Sequence, residues 1–373
     1  MIFLYVIATA FILIGGIAWI VFNSITWQEW AIGAGVAMLS ALIFHGVASL
    51  GLTHDIEMWR GQVTQVVFYP RWVEEYEEMH TREYQCGTDS KGNPEYCTEI
   101  YYTTEYRTHY EHWEAETNIN MTRSINEPQY YQMGSILGGK EITEKVYKSG
   151  FYSGDHNIYY FKNTSGAIIP ASDIKSWSNR LKAAPSIYDF PEVSKEQAKS
   201  LFSWPESRGW QNSGTLLGNS GGITQIEWDK IAAKLGPVKQ ANIIFVGFPP
   251  STSQSIAVWQ QAYWSGGKKN DVVICAGMNG QKAEWVYSFG WSNNAEVWAQ
   301  LNDLFLHSNV NNDILPEMYK IILKYYDRKE WADFKHISIS PPRWSYIAFP
   351  IILVLTQSML YIYFQLNEFN KKG

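Results

Sequence analysis

The sequence lacks the short motifs that identify the commonest catalytic and nucleotide-binding sites. It contains no P-loop, no HExxH zinc motif and no GxGxxG dinucleotide motif. Charge is also scarce: charged residues make up 18% of the chain and the net charge is −6. Nucleic-acid binding normally needs a strongly basic surface, so no nucleic-acid partner is predicted. The three cysteines include no CxxC pair, the usual core of a structural zinc site.

Long apolar runs, in contrast, are present at both ends of the chain. Residues 1–22 carry no charged side chain, residues 30–52 form a second apolar run, and residues 346–364 form a third. About 20 apolar residues are enough to cross a bilayer as a helix. We therefore expect a transmembrane helical hairpin in residues 1–52, a transmembrane helix in residues 344–364, and the lipid bilayer as a partner. Gly15, Gly16, Gly33 and Gly35 would permit close helix contact, including contact between copies in a homo-oligomer.

Cys86 and Cys97 flank a stretch of turn-forming residues, DSKGNP. The segments on either side are rich in Tyr, Thr and Trp, which predicts a β-hairpin with the cysteines at facing positions near its end. Facing positions have the separation that a disulfide needs, so we expect a Cys86–Cys97 disulfide. Two alternatives stay open, namely free thiols and a zinc site completed by histidines of the same region. Those histidines are His80, His109 and His112.

The redox state of these cysteines bears on which side of the membrane the protein works. Disulfides form and persist in oxidising compartments. Three spans would place the termini on opposite sides, with residues 53–342 on the side of the N-terminus. Lys371 and Lys372 follow the last apolar run and favour a cytoplasmic C-terminus. We therefore expect the large region to lie outside the cytoplasm.

The region between the apolar ends divides into three parts by composition. Residues 53–165 alternate aromatic and charged residues, which predicts an antiparallel β domain with one solvated face. Residues 166–222 are rich in Gly, Ser, Pro and Asn and predict a loop-rich linker. Residues 223–335 alternate helix-like and strand-like segments, which predicts an α/β domain with a mixed sheet. The expected fold class is an α+β membrane protein with three transmembrane helices and these two domains.

Several segments resemble known families. The segment HDIEMWRGQVT after the apolar hairpin, SNRLKAAPSIYDF, ANIIFVGF and GGKKNDVVICAG resemble an uncharacterised family of membrane proteins of tailed bacteriophages. The resemblance implies a phage-encoded membrane protein, and the family has no assigned function to transfer. With the orientation inferred above, we expect a multi-pass protein of the host inner membrane with its large region in the periplasm and a host envelope protein as partner. The segment SGGKKNDVVICAGMNGQKAEWVYSF is similar to the TPM domain, a membrane-linked α/β fold. That similarity implies phosphatase activity and divalent-metal binding through acidic loop residues.

The acidic residues nearest to the TPM-like strands are Asp271 and Glu284. The sequence departs from the TPM pattern because no acidic cluster is evident, so both carboxylates are expected to be strand-end or solvent-facing residues. Lys268 and Lys269 are expected to be solvated in a turn. Ser220, within GNSGG, is expected in a loop because no strand is predicted before it. We therefore predict no catalytic, metal-binding or cofactor-binding residue and no cofactor.

The predicted function is that of an interaction module. A phage-encoded integral membrane protein would present its large extracytoplasmic region at the host envelope, for example in superinfection exclusion or envelope modification. One alternative is a TPM-like metal-dependent hydrolase of the phosphatase class, which requires acidic residues clustered at strand ends. A second alternative is a structural membrane assembly component, which requires a stable homo-oligomer formed through the spans.

Overall fold

The computed structural model describes residues 2–22, 26–147, 152–182, 184, 190–205, 209–292, 294–334, 336–337, 339 and 344–366. Lys371 and Lys372, on which the predicted cytoplasmic C-terminus depends, lie outside these residues. The helices are α1 (Ile2–Phe22), α2 (Trp27–Thr53), α3 (Glu127–Leu137), α4 (Lys195–Ala198), α5 (Gln225–Lys239), α6 (Ser255–Tyr263), α7 (Glu296–His307), α8 (Leu315–Tyr325) and α9 (Ser345–Leu366). The strands are β1 (His54–Tyr69), β2 (Trp72–Thr88), β3 (Pro94–His109), β4 (His112–Thr117), β5 (Thr122–Ile125), β6 (Ile142–Val146), β7 (Tyr152–Ser153), β8 (His156–Lys162), β9 (Pro170–Ser178), β10 (Leu216–Gly218), β11 (Asn242–Phe248), β12 (Asp271–Asn279) and β13 (Lys282–Gly290).

Helices α1, α2 and α9 pack together through apolar side chains. The buried residues of this cluster are Leu4, Ala8, Ala37, Ala41, Phe349 and Leu353. Two helices are long and apolar enough to cross a membrane by length and composition, namely α2 and the Ser345–Phe364 part of α9. In α1 the described apolar stretch is shorter, Leu4–Ile17. Of the three spans expected from the sequence, the described residues therefore support two.

Polar contacts fix how these helices lie against each other. Trp30 Nε1 donates a hydrogen bond to a carbonyl of α1, and Gln357 Nε2 donates one to the carbonyl of Gly33, both at 3.0 Å. A Cβ atom on Gly15 or Gly16 would lie 3.3 or 3.4 Å from the Trp30 ring. Three of the four glycines expected to permit contact between copies therefore contact neighbouring helices of the same chain.

The antiparallel β domain is built on β1, which pairs with different strands along its length. From His54 to Gln62 it pairs with β9. From Val63 onward it pairs with β4 on one edge and β8 on the other. Strands β5 and β6 complete the order β5-β4-β1-β8-β6. Helix α3 covers one face of this sheet, where Tyr130 and Leu137 are fully buried.

The segment 166–222, predicted to be a loop-rich linker, contributes a strand to each domain. Strand β9 pairs with β1 of the β domain, and β10 pairs in parallel with β11 of the α/β domain. The prediction was wrong because β-structure depends strongly on cross-strand partners, and the partner of β9 lies far away in the chain. The short α4 also lies in this segment.

The α/β domain has the predicted mixed sheet, and its strand order is β10-β11-β12-β13. The first three strands are parallel, and β13 is antiparallel to β12. Strands β11 and β12 are buried along almost their whole length, because helices α5, α7 and α8 cover one face of the sheet and α6 covers the other. Burial on both faces explains their continuous apolar sequences.

The β domain and the α/β domain are held together by buried ion pairs from the start of β1. Asp55 pairs with Lys268 at 2.6 Å. Glu57 accepts two hydrogen bonds from Arg328, at 2.7 and 2.8 Å, and lies 3.7 Å from Lys269. Buried charges are tolerated only when they are paired, so these contacts require the two domains to keep one relative position.

A second set of contacts continues this junction toward α5. Arg60 pairs with Asp229 of α5, and both side chains are buried. Gly236 lies against the carbonyl oxygen of Arg60, where a Cβ atom could not fit. The side chain of Asn270 donates to the carbonyl of Met58 at 2.8 Å. We call these contacts, with the pairs of Asp55 and Glu57, the junction; it joins the domains directly where a linker was expected.

Candidate functional site: an exposed β arm

The hairpin of β2 and β3, which we call the arm, is exposed along most of its length. The strands pair in antiparallel register from Trp72–His109 to Thr88–Pro94, over 16 paired positions. At about 3.3 Å per residue the arm extends roughly 50 Å. Among the described strands, only the short β7 pairs with it, opposite Glu75 and Tyr76 near its base. Most of its length therefore lies away from the rest of the described chain.

A tight turn closes the free end of the arm. Asp89 Oδ1 accepts hydrogen bonds from the backbone amides of Lys91 and Asn93, both at 2.8 Å. Gly92 adopts a positive φ of 89°, which glycine does at no steric cost. The hydrogen bonds from Asn93 lower the pKa of Asp89 and keep it ionised. The DSKGNP stretch thus forms the predicted turn.

Cys86 and Cys97 form the predicted disulfide, with their Cα atoms 5.6 Å apart. The expectation that they occupy facing positions was wrong. Cys97 is opposite Tyr84, and Cys86 lies at a register shift between Gln85 and Gly87. Such a bulge adds one residue to a strand and turns its side chains, which brings Cys86 within reach of a residue that is not its register partner.

Side chains alternate along a strand, so the arm has two faces. The inner face consists of Trp72, Glu74, Tyr76, Glu78, His80, Arg82 and Tyr84 with their register partners on β3. Charges on this face are largely paired. Glu74 lies 2.9 Å from His109 and 3.7 Å from Arg107, and Arg82 lies 2.7 Å from Glu99. Charge on the inner face therefore serves mainly to hold the two strands of the arm together.

The outer face differs in both polarity and charge pairing. Its members are Val73, Glu75, Glu77, Met79, Thr81, Glu83 and Gln85 of β2, and Tyr96, Thr98, Ile100, Tyr102, Thr104, Tyr106 and Thr108 of β3. Six large apolar or aromatic side chains of this face are between 47% and 67% exposed. It has no Lys or Arg, and within the described chain its three glutamates have no cationic partner. The outer face is thus an apolar, negatively charged strip, and a contiguous exposed strip of this kind is typical of an interaction surface.

Three potential metal ligands also meet on the inner face. Glu78, His80 and Glu105 place their ligand atoms within 4.8 Å of one another. These donors suit zinc or manganese. The sequence hypothesis instead combined His80 with the two cysteines, a set that the disulfide rules out. The signal that would have found the cluster is the i, i+2 spacing of Glu78 and His80 on one face of a strand.

The acidic residues expected from the TPM-like resemblance do not lie together. Asp271 is buried at the start of β12, where Trp204 Nε1, Asn242 Nδ2 and the amide of Lys268 donate to it at 2.7–2.9 Å. Burial raises the pKa of Asp271 to about 6 in spite of these donors. Glu284 lies at the other end of the sheet, beside the β12–β13 turn. The two carboxylates therefore do not form a shared metal site.

The remaining predicted residues also have structural partners. Lys268 and Lys269 were expected to be solvated, but they pair with Asp55 and Glu57 in the junction, and Lys269 is only 3% exposed. Ser220 lies just after β10, a strand that the sequence did not predict. Its Oγ donates to a backbone carbonyl at 3.0 Å, and no histidine or carboxylate contacts it among the described residues.

Comparisons with known proteins identify no relative. No protein-family model, no curated protein and no solved structure matches the chain. The resemblances to the phage membrane proteins and to the TPM domain accordingly stay predictions. The arm is therefore the most direct guide to function. Its outer face exposes large apolar side chains together with glutamates that have no cationic partner in the described chain.

Proposed function

We propose that this chain is a membrane-anchored interaction protein whose arm binds a partner protein at the envelope of a bacterial cell. The observation that carries the proposal is the outer face. It joins six exposed large apolar side chains to three glutamates that have no cationic partner among the residues the structure describes. Aromatic side chains dominate the energetics of protein interfaces. Unpaired carboxylates favour a partner of opposite charge. The partner surface is therefore apolar and carries Lys or Arg.

Anchoring in a membrane is part of the proposal. Helices α2 and α9 are long and apolar enough to span a bilayer, and they pack against α1 through apolar contacts. Helix α2 ends at Thr53 and β1 begins at His54, so the helix passes directly into the central strand of the β domain. A partner bound to the arm would thereby be held at the membrane surface.

The Cys86–Cys97 disulfide supports an extracytoplasmic location for residues 53–342, because disulfides persist in oxidising compartments. Together with the resemblance to phage membrane proteins, it makes the periplasmic face of a host inner membrane the proposed location, with the C-terminus in the cytoplasm. Superinfection exclusion and envelope modification are roles that such a protein could perform through one host partner.

Adjacent tyrosines on opposite faces of the arm provide a test with a matched control. Tyr102 lies on the outer face and Tyr101 on the inner face, 56% and 39% exposed. A photoreactive phenylalanine analogue is placed at either position in the full-length protein in bacterial cells. We expect a discrete crosslinked product from position 102 and little from position 101. Equal yields from both positions, or none from either, would refute the outer face as the binding surface.

The crosslinked partner, once identified and purified, allows the charge argument to be tested. Replacing Glu77 and Glu83 by lysine should weaken binding at least tenfold, because repulsion replaces attraction at a basic partner surface. The matched control is Glu99→Lys on the inner face, which should leave affinity unchanged. Binding that is insensitive to the first pair of substitutions would exclude a basic partner surface.

A reporter active only in the periplasm tests the orientation. Inserted at Gly92, in the turn of the arm, it should be active, and fused after Gly373 it should be silent. The opposite pattern would reverse the proposed topology while leaving the interaction surface to be judged by crosslinking.

A further inference from the structure

A cavity lies on the side of the soluble region from which the apolar helices leave. It has a volume of about 710 Å³ and is lined by residues of β1, of the segment after β9, and of the α/β domain. This volume is within the usual range of small-molecule sites, about 300–1,000 Å³. We call it the cleft and define it by Asp55, Lys182, Glu192, Trp204, Trp264 and Trp291.

Two independent connections place the cleft near the membrane. Asn179 also lines the cleft. Its backbone amide donates a hydrogen bond to the carbonyl of Thr53, at the end of α2, at 2.6 Å. Toward the other apolar helix, Ile337 packs in one cluster with Trp291 and Leu181, shortly before α9 begins. Both chain segments that reach the apolar helices therefore contact the walls of the cleft. If α2 and α9 span a bilayer, the cleft lies at the level of the lipid headgroups.

The three tryptophans of the cleft make their contacts within the fold. Trp264 and Trp291 are only 8% and 6% exposed, and Lys268 Nζ already lies 5.5 Å from the centre of the Trp204 ring. Trp264 Nε1 donates to a backbone carbonyl at 2.8 Å, and Trp291 Nε1 to another at 3.1 Å. Trp204 Nε1 donates to Asp271 at 2.9 Å. Tryptophan is enriched where proteins meet the membrane–water interface, which agrees with the position of the cleft beside the apolar helices.

The charged residues of the cleft leave one free group of each sign. Lys268 and Asp55 neutralise each other at 2.6 Å. Lys182 donates to the carbonyl of His54 at 3.1 Å and has no carboxylate partner in the described chain. Glu192 is exposed and, among the same residues, has no cationic partner. Within the described part of the chain, the cleft thus has one cation and one anion without an oppositely charged partner. This pair matches a zwitterion with separated charges, whereas an anionic ligand would need excess positive charge.

We propose that the cleft binds the phosphoethanolamine headgroup of a membrane phospholipid, a ligand class that rests on the membrane placement proposed above. The exposed Lys182 binds the phosphate, and the exposed Glu192 receives the ammonium group. The glycerol end of the lipid points toward the apolar helices. Bound lipid would then hold the base of the soluble region against the bilayer.

The test uses detergent-solubilised full-length protein and the water-soluble headgroup sn-glycero-3-phosphoethanolamine, with binding followed by saturation-transfer NMR. We expect saturable binding that weakens at least tenfold in Lys182→Ala and in Glu192→Gln. The matched control is Lys199→Ala, an exposed lysine outside the cleft that pairs with Glu196. Inorganic phosphate or ethanolamine that competes as strongly as the intact headgroup would overturn the zwitterion assignment.

A second experiment distinguishes bound lipid from bound free headgroup. It also tests this inference separately from the proposed function. Native mass spectrometry should show phosphatidylethanolamine retained by the wild-type protein and lost from Lys182→Ala. Resistance of the chain to extraction by alkaline carbonate tests membrane insertion independently. A chain that resists extraction but binds no headgroup refutes the cleft proposal alone. A chain that is extracted, yet binds the headgroup, refutes the membrane anchor and the lipid source together.

Discussion

The junction and the outer face of the arm both carry several charged residues, yet they use charge in opposite ways. In the junction the carboxylates of Asp55, Glu57 and Asp229 are at most 5% exposed, and each faces a cation from the other domain. On the outer face the glutamates are exposed and have no partner in the described chain. Paired buried charge specifies how the chain packs on itself, whereas unpaired exposed charge is left for another molecule. The following experiments test this contrast, from the largest expected effect to the smallest.

Removing one member of a buried pair in the junction should have the largest effect. Arg60→Ala leaves Asp229 buried without its cation, which costs about 3–5 kcal/mol. For a chain of this size we expect a fall in Tm of roughly 10 °C in full-length detergent-solubilised protein, measured by scanning calorimetry. A fall of only one or two degrees would show that Asp229 finds another partner or water. Arg60→Met with Asp229→Leu should recover much of the loss, because no charge is then left buried.

Acidification should stabilise the protein through Asp271. Its folded pKa is about 6, above its ordinary value of 3.8, because burial penalises the carboxylate. The folded state therefore binds the proton more tightly than the unfolded state. The resulting stability is fully present below about pH 4 and is lost as pH rises through about 6. At 1.36 kcal/mol per pKa unit the effect approaches about 3 kcal/mol.

The measurement for Asp271 is the Tm of wild type minus that of Asp271→Asn between pH 4 and 7.5. The Tm of the wild type should rise relative to that of Asp271→Asn as pH falls, because the variant lacks the titrating carboxyl group. A difference that stays constant across this range would show that Asp271 keeps the same charge at every pH.

Removing the disulfide should affect the arm and spare the junction. With Cys86 and Cys97 both changed to Ser, the hairpin loses about 2–3 kcal/mol in the chain-entropy model, because the short closed loop is no longer constrained. Hydrogen exchange of β2 and β3 amides should accelerate near the free end, while β11 and β12 exchange as in wild type. Faster exchange in β11 or β12 would mean that the arm supports the α/β domain.

The smallest effect is expected for the exposed pair Arg82–Glu99. Its side chains are 64% and 44% exposed, and exposed pairs contribute little because water and salt screen them. Arg82→Ala should leave Tm within experimental error of wild type. It is the matched comparison for Arg60→Ala, because the same residue type is removed from an exposed pair in place of a buried one.

Local features of the fold could be predicted, and features that depend on distant partners could not. The turn between Cys86 and Cys97 follows from Asp89, Gly92 and their neighbours, so the disulfide was predicted correctly. The mixed sheet follows from two continuous apolar strands. The bulge at Cys86 was missed because it changes register by a single residue without a compositional signal.

The junction was missed for a different reason. Lys268 and Lys269 have the composition of a solvated turn, and only the fold brings Asp55 and Glu57 beside them. Strand β9 was likewise hidden because its partner, β1, is distant in the chain. The two faces of the arm follow from the alternation of side chains, but assigning them also requires the β2–β3 register. The sequence does not show that register directly, because a slip of one residue would exchange the faces.

The direct passage from α2 to β1 means that the distance between α2 and the β domain cannot be varied by a spacer. Helix α2 ends at Thr53 and β1 begins at His54, with no residue between them. In a strand, one inserted residue exchanges the two faces of everything that follows until a bulge corrects it. A residue inserted here would turn Asp55 and Glu57 away from their cations. It would therefore disrupt the ion pairs of the junction rather than lengthen the connection between α2 and the β domain. The position of the arm relative to α2 is thus set by the same residues that join the two domains.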